Sequence, residues 1–342
     1  VKTISIDAMG GDFGPSVTVP ASLQVLRRHP DLKLLFVGLA ESLQPLLSKQ
    51  GSDVQDRFSI VNATEVVAMG EDPGSALRSK KDSSLRVAID LVKEKRAQAC
   101  VSAGNTGALM STARFVLKTL PAVDRPAIMA RFPATRGCDV RVLDLGANVD
   151  STPEQLLQFA VMGSAVAEAV DNLQRPRVAL LNIGAEEIKG NEQVKQAAEL
   201  FSQCSAINYL GFVEGDDIFY GKADVVVCDG FVGNSMLKAC EGMVKFIMEI
   251  ATEEFHRNLY SRLSILPAYP ILRRLKDRTD TRKRNGATLL GLNGIVIKSH
   301  GGADEFSFSC ALEQAYLELE KNIPALIGEK VGAILKQESS DS

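Results

Sequence analysis

Eight short apolar runs, separated by stretches of helical periodicity, constrain this chain more than any other feature. They are TISIDA (3–8), LKLLFVG (32–38), QACVSAG (98–104), AIMARF (127–132), VRVLDLG (140–146), RVALLNIG (177–184), INYLG (207–211) and DVVVCDG (224–230). Several are apolar on both faces, which suits strands covered by helices on each side. Between them, SLRVAIDLVKEKRA and EQLLQFAVMGSAVAEAVDNL repeat apolar residues at helical spacing. The alternation predicts a doubly wound, mostly parallel α/β sheet. No repeat, low-complexity tract or linker interrupts it, so one α/β domain over residues 1–342 is expected.

Composition narrows the class. With 342 residues, 45% hydrophobic and 24% charged, the chain has material for a large core. A net charge of -3 and a pI near 5.8 argue against a whole-protein nucleic-acid binder. Cys100, Cys138, Cys204, Cys228, Cys240 and Cys310 are scattered without a CxxC pair, the usage of a reduced, cytoplasmic protein. The opening VKTISIDAMGGD reads as a first strand rather than a signal peptide. No run approaches the roughly 20 apolar residues that span a bilayer, so at most the protein lies on a membrane surface.

Residues 236–286 depart from the alternation. MLKACEGMVKFIMEIATEEFHRNLYSRL reads as one long helix, and Pro267 and Pro270 are expected to break it and form an apolar tip. From Phe255 to Arg284 there are nine Lys or Arg and two Asp. A protruding helical hairpin is predicted, its tip residues Ile265, Leu266, Tyr269 and Ile271 flanked by Arg273 and Arg274. It reads either as a core helix with a solvated basic loop or as a dimerisation hairpin touching anionic lipid or an acidic partner.

In open α/β sheets ligands bind beyond the carboxyl ends of the strands. Six glycine-rich turns follow apolar runs here: DAMGGDFGP (7–15), SAGNTGA (102–108), LDLGAN (143–148), NIGAEEIKG (182–190), CDGFVGN (228–234) and KSHGGAD (298–304). Such turns bring bare N–H groups and helix N-termini toward an anion. Six of them predict an oxyanion or phosphate site. The usual anion chemistries lack their signatures. There is no GxxxxGK[ST], no GxGxxG and no GxSxG, and His29, His256 and His300 are too dispersed to suggest a metal cluster. What remains is an anion held without metal, nucleotide or protein nucleophile. Inorganic phosphate is itself a usable nucleophile if it is positioned and the attacked carbonyl oxygen is stabilised.

Taken together and in order, these six motifs resemble the bacterial phosphate acyltransferase (PlsX) family across essentially the whole chain. The resemblance implies transfer of a long-chain acyl group from acyl carrier protein to inorganic phosphate, giving acyl phosphate for phospholipid synthesis. It implies a homodimer, a fold similar to isocitrate and isopropylmalate dehydrogenases and to phosphotransacetylases, and no metal or other cofactor. Peripheral contact with an anionic membrane, and with the membrane glycerol-phosphate acyltransferase that acts next, would fit.

Within that reading Lys189 is the cation that binds phosphate and offsets charge on the thioester carbonyl; otherwise it is a solvated lysine. Asn234 donates to the oxyanion, or else caps the helix SMLKACEGM. Ser102, Gly104, Asn105 and Thr106 form a phosphate cradle or a plain helix cap. Gly10, Gly11, Asn148, Asn182, Gly184, Gly230 and Gly301 line the same substrate site. Asp7, unable to bind phosphate directly, braces its loop or orients Lys189, and Asp229 shares that ambiguity. His300 donates to phosphate or to the leaving thiol, or is structural. Cys228 as a covalent acyl acceptor is disfavoured, because no histidine lies nearby in sequence to activate it. Two rivals remain: a metal- and NAD-dependent decarboxylating dehydrogenase of similar fold, and a non-catalytic binder of acyl carrier protein.

Overall fold

The computed structural model describes residues 1–135 and 137–338, with side chains described except at 259–266, 276 and 334–338. Its strands are β1 (Lys2–Asp7), β2 (Leu32–Gly38), β3 (Phe58–Asn62), β4 (Ala99–Ser102), β5 (Ala127–Pro133), β6 (Asp139–Leu143), β7 (Arg177–Leu181), β8 (Asn208–Val213), β9 (Val225–Val227), β10 (Ala287–Leu290) and β11 (Ile295–Lys298). They form one sheet in the order β3-β2-β1-β4-β11-β10-β5-β6-β9-β7-β8. The helices are α1 (Pro15–Arg28), α2 (Ala40–Gln50), α3 (Pro73–Ser79), α4 (Ser84–Lys93), α5 (Thr106–Leu117), α6 (Pro153–Asp171), α7 (Glu192–Gln203), α8 (Asp217–Tyr220), α9 (Gly230–His256), α10 (Leu259–Thr279), α11 (Glu305–Glu320) and α12 (Ile323–Glu338).

All eight apolar runs contain strands. Their two-sided hydrophobicity has a direct cause on β4 and β11. Cys100 and Val296 join the core with Leu85, Ala88 and Leu109 of α4 and α5. Their neighbours Ala99, Val101, Ile295 and Ile297 join Val19, Leu23, Phe308 and Leu312 of α1 and α11. The mostly parallel, doubly wound expectation therefore holds.

Strand direction adds something the motifs did not reveal. β3, β2, β1, β4 and β11 are mutually parallel, as are β6, β9, β7 and β8. Between the blocks, β10 and β5 pair antiparallel with each other and with their outer neighbours. Three successive reversals leave the two blocks pointing opposite ways. The six glycine-rich turns thus divide into two groups, one at each end of the sheet. The turns after β1, β4 and β11 form the first group, and those after β6, β7 and β9 the second.

The hairpin corrects two expectations. α9 begins at Gly230 and the chain turns at Arg257–Asn258, so the expected single helix is two. Pro267 and Pro270 lie inside α10 rather than at a tip. Each removes one i→i−4 bond, but on an exposed helix the freed carbonyls can be hydrated, so the helix persists. Tyr269 and Ile271 are exposed along its flank, as are Arg273 and Arg274. The side chains of Ile265 and Leu266 lie outside those described. The longest strands have seven residues, about 23 Å, whereas the 27 residues of α9 extend about 40 Å. Its distal part therefore overhangs the sheet, and Met243, Phe246, Ile247 and Met248 are exposed.

Arg141 on β6 is 1% exposed and donates to both oxygens of Asp171 at 2.6 and 2.7 Å. Asp171→Ala would strand that guanidinium in the core. We expect a loss of about 3 kcal/mol, the low end for a broken buried pair because Asp171 itself is partly exposed. Urea unfolding checks this, with Arg141→Met, which removes the charge itself, expected to cost less.

Candidate functional site

The second group of turns is built around Asp144, the residue after β6. Its Oδ1 accepts from the backbone N–H of Ile128 and Ala147, and its Oδ2 from the N–H and side-chain amide of Asn148. Asn148 also donates to the Pro126 carbonyl, so its amide is committed to the loop rather than free for a ligand. Burial pushes the Asp144 carboxyl up, and these donors pull it back. Against this braced loop lies the first turn of α9. A Cβ at Gly230 would run into the Asn148 carbonyl, and one at Gly233 into the Asp144 carbonyl. Asp229 caps the helix, accepting from the Val232 N–H at 2.9 Å. That takes the capping role away from Asn234, which lies one turn into the helix, exposed and packed beside Gly146.

One strand over, Asn182 follows β7. Its N–H donates to the Val213 carbonyl and its side-chain amide to the Lys189 carbonyl at 3.2 Å, closing the 182–190 turn. Lys189 folds over Gly184, where any side chain would collide with it, and its Nζ pairs with Glu186 at 2.7 Å. The hydrogen bond to Glu186 raises the Lys189 pKa and lowers that of Glu186. An exposed pair of this kind is worth little, so an incoming dianion can replace the glutamate. Because β7 and β9 are parallel neighbours, Lys189 and Asn234 leave the sheet at the same end.

The same loops carry an apolar rim. Val149, Ile183, Ile188 and Phe231 are 71%, 79%, 83% and 67% exposed. Cys228 beneath them is buried, and burial, then Asp144 and Asp229, hold its thiol well above its usual range. It is no thiolate nucleophile in this state.

The first group is more tightly committed. Asp7, fully buried, accepts from the hydroxyls of Ser84 and Ser102 at 2.6 Å each. The Ser102 hydroxyl also receives the Gly104 N–H. Asn105 caps α5 through the Ala108 N–H and donates to the carbonyls of Met69 and Glu71. Ser102 and Asn105 thus spend their side chains inside the protein, and Thr106 stays exposed. Gly10 and Gly11 are required for packing: a Cβ on Gly10 would meet Asp7 Oδ2 at 2.6 Å, and one on Gly11 the Gly301 carbonyl at 2.9 Å. The cation nearest Asp7 in this group is Lys298 rather than Lys189. His300 Nδ1 accepts from the Gly302 N–H at 3.1 Å, which leaves Nε2–H as its free donor. Burial lowers its pKa.

Asp144 and Lys298 escaped the sequence reading. Lys298 is 9% exposed, contacts the carbonyls of Ala103 and Ser299, and has no carboxylate partner within 4 Å among the described residues. The one available signal was a lysine ending the apolar strand IVIK. The two groups of turns are linked by α9: Lys238, Glu241 and Lys245 of that helix act on the ionisation of His300, and Lys238 on Lys298.

Burial depresses the Lys298 pKa from 10.5 to about 8. Below pH 8 the lysine is charged whether folded or unfolded, and its burial costs stability. As pH rises from about 8 to 10.5 the folded state alone is neutral, so that cost disappears. Lys298→Met should therefore stabilise the protein by about 3 kcal/mol at pH 7, with the gain shrinking above pH 8. Denaturant midpoints across that range check it.

A family model described as fatty acid synthesis protein matches residues 2–326. A phosphate acyltransferase of Coxiella burnetii is 58% identical over 338 residues, 98% of both chains. Its counterpart from Legionella pneumophila is 55% identical over 335 residues, again 98% of both. Among solved structures, a phosphotransacetylase from Streptococcus pyogenes superposes with TM-score 0.62 at 17% identity, covering 93% of each chain. A branched-chain phosphotransacylase from Enterococcus faecalis gives 0.56 at 14%, covering 93% of this chain and 100% of that one. These two establish likeness of fold alone. The family match and the full-length relatives decide the rest: the chain belongs to the fatty acid synthesis protein family.

Proposed function

We propose that this chain transfers a long-chain fatty acyl group from acyl carrier protein to inorganic phosphate, at the turns that follow β6, β7 and β9. The observation that carries this reading is the pairing there of a replaceable cation, Lys189, and a non-titrating amide, Asn234, inside a rim of exposed apolar side chains. An amphiphile with an anionic acceptor at its head meets both requirements. The names of the full-length relatives favour the same acceptor.

Phosphate takes the place of Glu186 beside Lys189, and one of its oxygens attacks the thioester carbonyl carbon. The carbonyl oxygen gains charge, which Lys189 and the Asn234 amide offset. The C–S bond then breaks, and the carrier thiolate leaves and takes up a proton. Acyl phosphate is released to a membrane glycerol-phosphate acyltransferase. Direct attack is favoured because Cys228 is buried with its thiol pKa raised. Asp144, Asn148, Asn182, Gly184, Asp229 and Gly230 hold the seat together. At the other sheet end, Asp7 with Gly10, Gly11, Ser102, Gly104, Asn105 and Gly301 braces a second contact for an anion, presented by Lys298, Thr106 and His300.

Among the described residues no helix is long and apolar enough to cross a membrane. The exposed apolar stretch of α9 and the basic α10 favour a homodimer whose hairpin also rests on an anionic surface.

Purified protein given an acyl carrier thioester and phosphate should yield acyl phosphate without added metal or nucleotide. Loss of turnover on chelation overturns the reading. Lys189→Ala should lower kcat about 10²–10³-fold with an unchanged circular dichroism spectrum. Near-normal turnover in that variant removes Lys189 from the mechanism. Ile188→Asp should raise KM for long-chain donors more than for short ones, read from a chain-length series.

A further inference from the structure

Besides the hairpin, α4 and α5 carry a second cationic surface. Residues 86–118 hold six basic and two acidic side chains, a net of +4 within a chain of net -3. At its centre Phe115 is 54% exposed. Arg86 lies 5.6 Å from its ring centroid and Lys118 5.0 Å, so two cations are stacked on an aromatic anchor. Around them Arg114, Lys93 and Lys95 are exposed. Among the described residues these three and Lys118 have no carboxylate partner, whereas nearby Arg86 and Arg96 pair with Asp90 and Glu94. Unpaired cations grouped round an exposed aromatic are the makings of an interface hot spot rather than a solvating surface.

Its position is informative. α4 and α5 both start at the first group of turns, where Ser84 bonds Asp7 and Asn105 caps α5. They therefore end at the opposite end of the sheet, the end that holds Lys189 and Asn234. The chain confirms this: Lys118 accepts from the Asn293 N–H, and eight residues on, Pro126 accepts from the Asn148 amide. From β4 to β9 is five strand steps, about 24 Å.

We propose that this patch is where the acidic carrier protein docks while its flexible arm delivers the thioester to the Lys189–Asn234 seat. The proposal rests on the acyl-transfer reading and adds the surface that recognises the donor. Charge complementarity selects the occupant. The cations attract an acidic helix, Phe115 supplies the desolvated centre, and the offset leaves the seat free for the arm.

The test is the double charge reversal Arg114→Glu/Lys118→Glu, with Phe115→Ala as a second variant that keeps the charges. Affinity for acyl carrier protein is measured by calorimetry at low and moderate salt, and turnover with carrier-bound and with short pantetheine thioesters. We expect the reversal to weaken carrier binding and raise KM for the carrier-bound donor at least tenfold, with kcat and small-thioester turnover unchanged. Phe115→Ala should give a smaller, salt-insensitive loss. Unchanged carrier affinity in folded variants overturns the proposal even if acyl transfer is intact. A change in sedimentation behaviour instead of carrier affinity also overturns it and assigns the patch to self-association. Carrier binding that depends on the patch in a protein making no acyl phosphate from any thioester leaves docking standing and rejects the acyl-transfer reading.

Discussion

Everything in this molecule depends on the three successive reversals of strand direction across β11, β10, β5 and β6. A purely parallel sheet would gather all its strand ends on one edge. Here two parallel blocks are joined through antiparallel pairings, and the same sequence motifs are divided between two ends. The division has a chemical result. One end becomes a tightly bonded knot around Asp7, and the other keeps an exposed, glutamate-paired lysine, the exposed Asn234 amide and an apolar border.

The two ends handle charge differently. Asp7 and Lys298 are both buried, and neither finds a direct ionic partner among the described residues. Serine hydroxyls and backbone groups satisfy them instead. At the opposite end Lys189 is paired with an exposed glutamate, an arrangement that costs little to undo.

Much of this was legible in the sequence. Long runs such as TISIDA and LKLLFVG declare themselves because both faces of those strands are buried. FSIVN lies at the sheet edge with no fully buried residue, so the two-sided apolar signature is missing there. Two-sided apolar runs point to a mostly parallel sheet, but where the direction reverses, at β10 and β5, leaves no pattern of its own. The loops around Lys189 and Asn234 were visible from glycine and charge. The commitments of Ser102, Asn105 and Asn148 were not, because a hydroxyl or amide looks the same whether it faces a ligand or a neighbouring loop. The burial of Lys298 and the hub role of Asp144 are tertiary facts, set by which strands come to lie beside them.

The glycine contacts at the foot of α9 carry a mechanical consequence. Gly230 and Gly233 let the helix sit directly on the backbone of the Asp144 loop, with no compressible side chain between. A rod of about 40 Å seated so closely acts as a lever: a tilt of about 5° at its foot sweeps the far end through about 3.5 Å. Any rearrangement of that loop is thus magnified at the distant, greasy end of the rod.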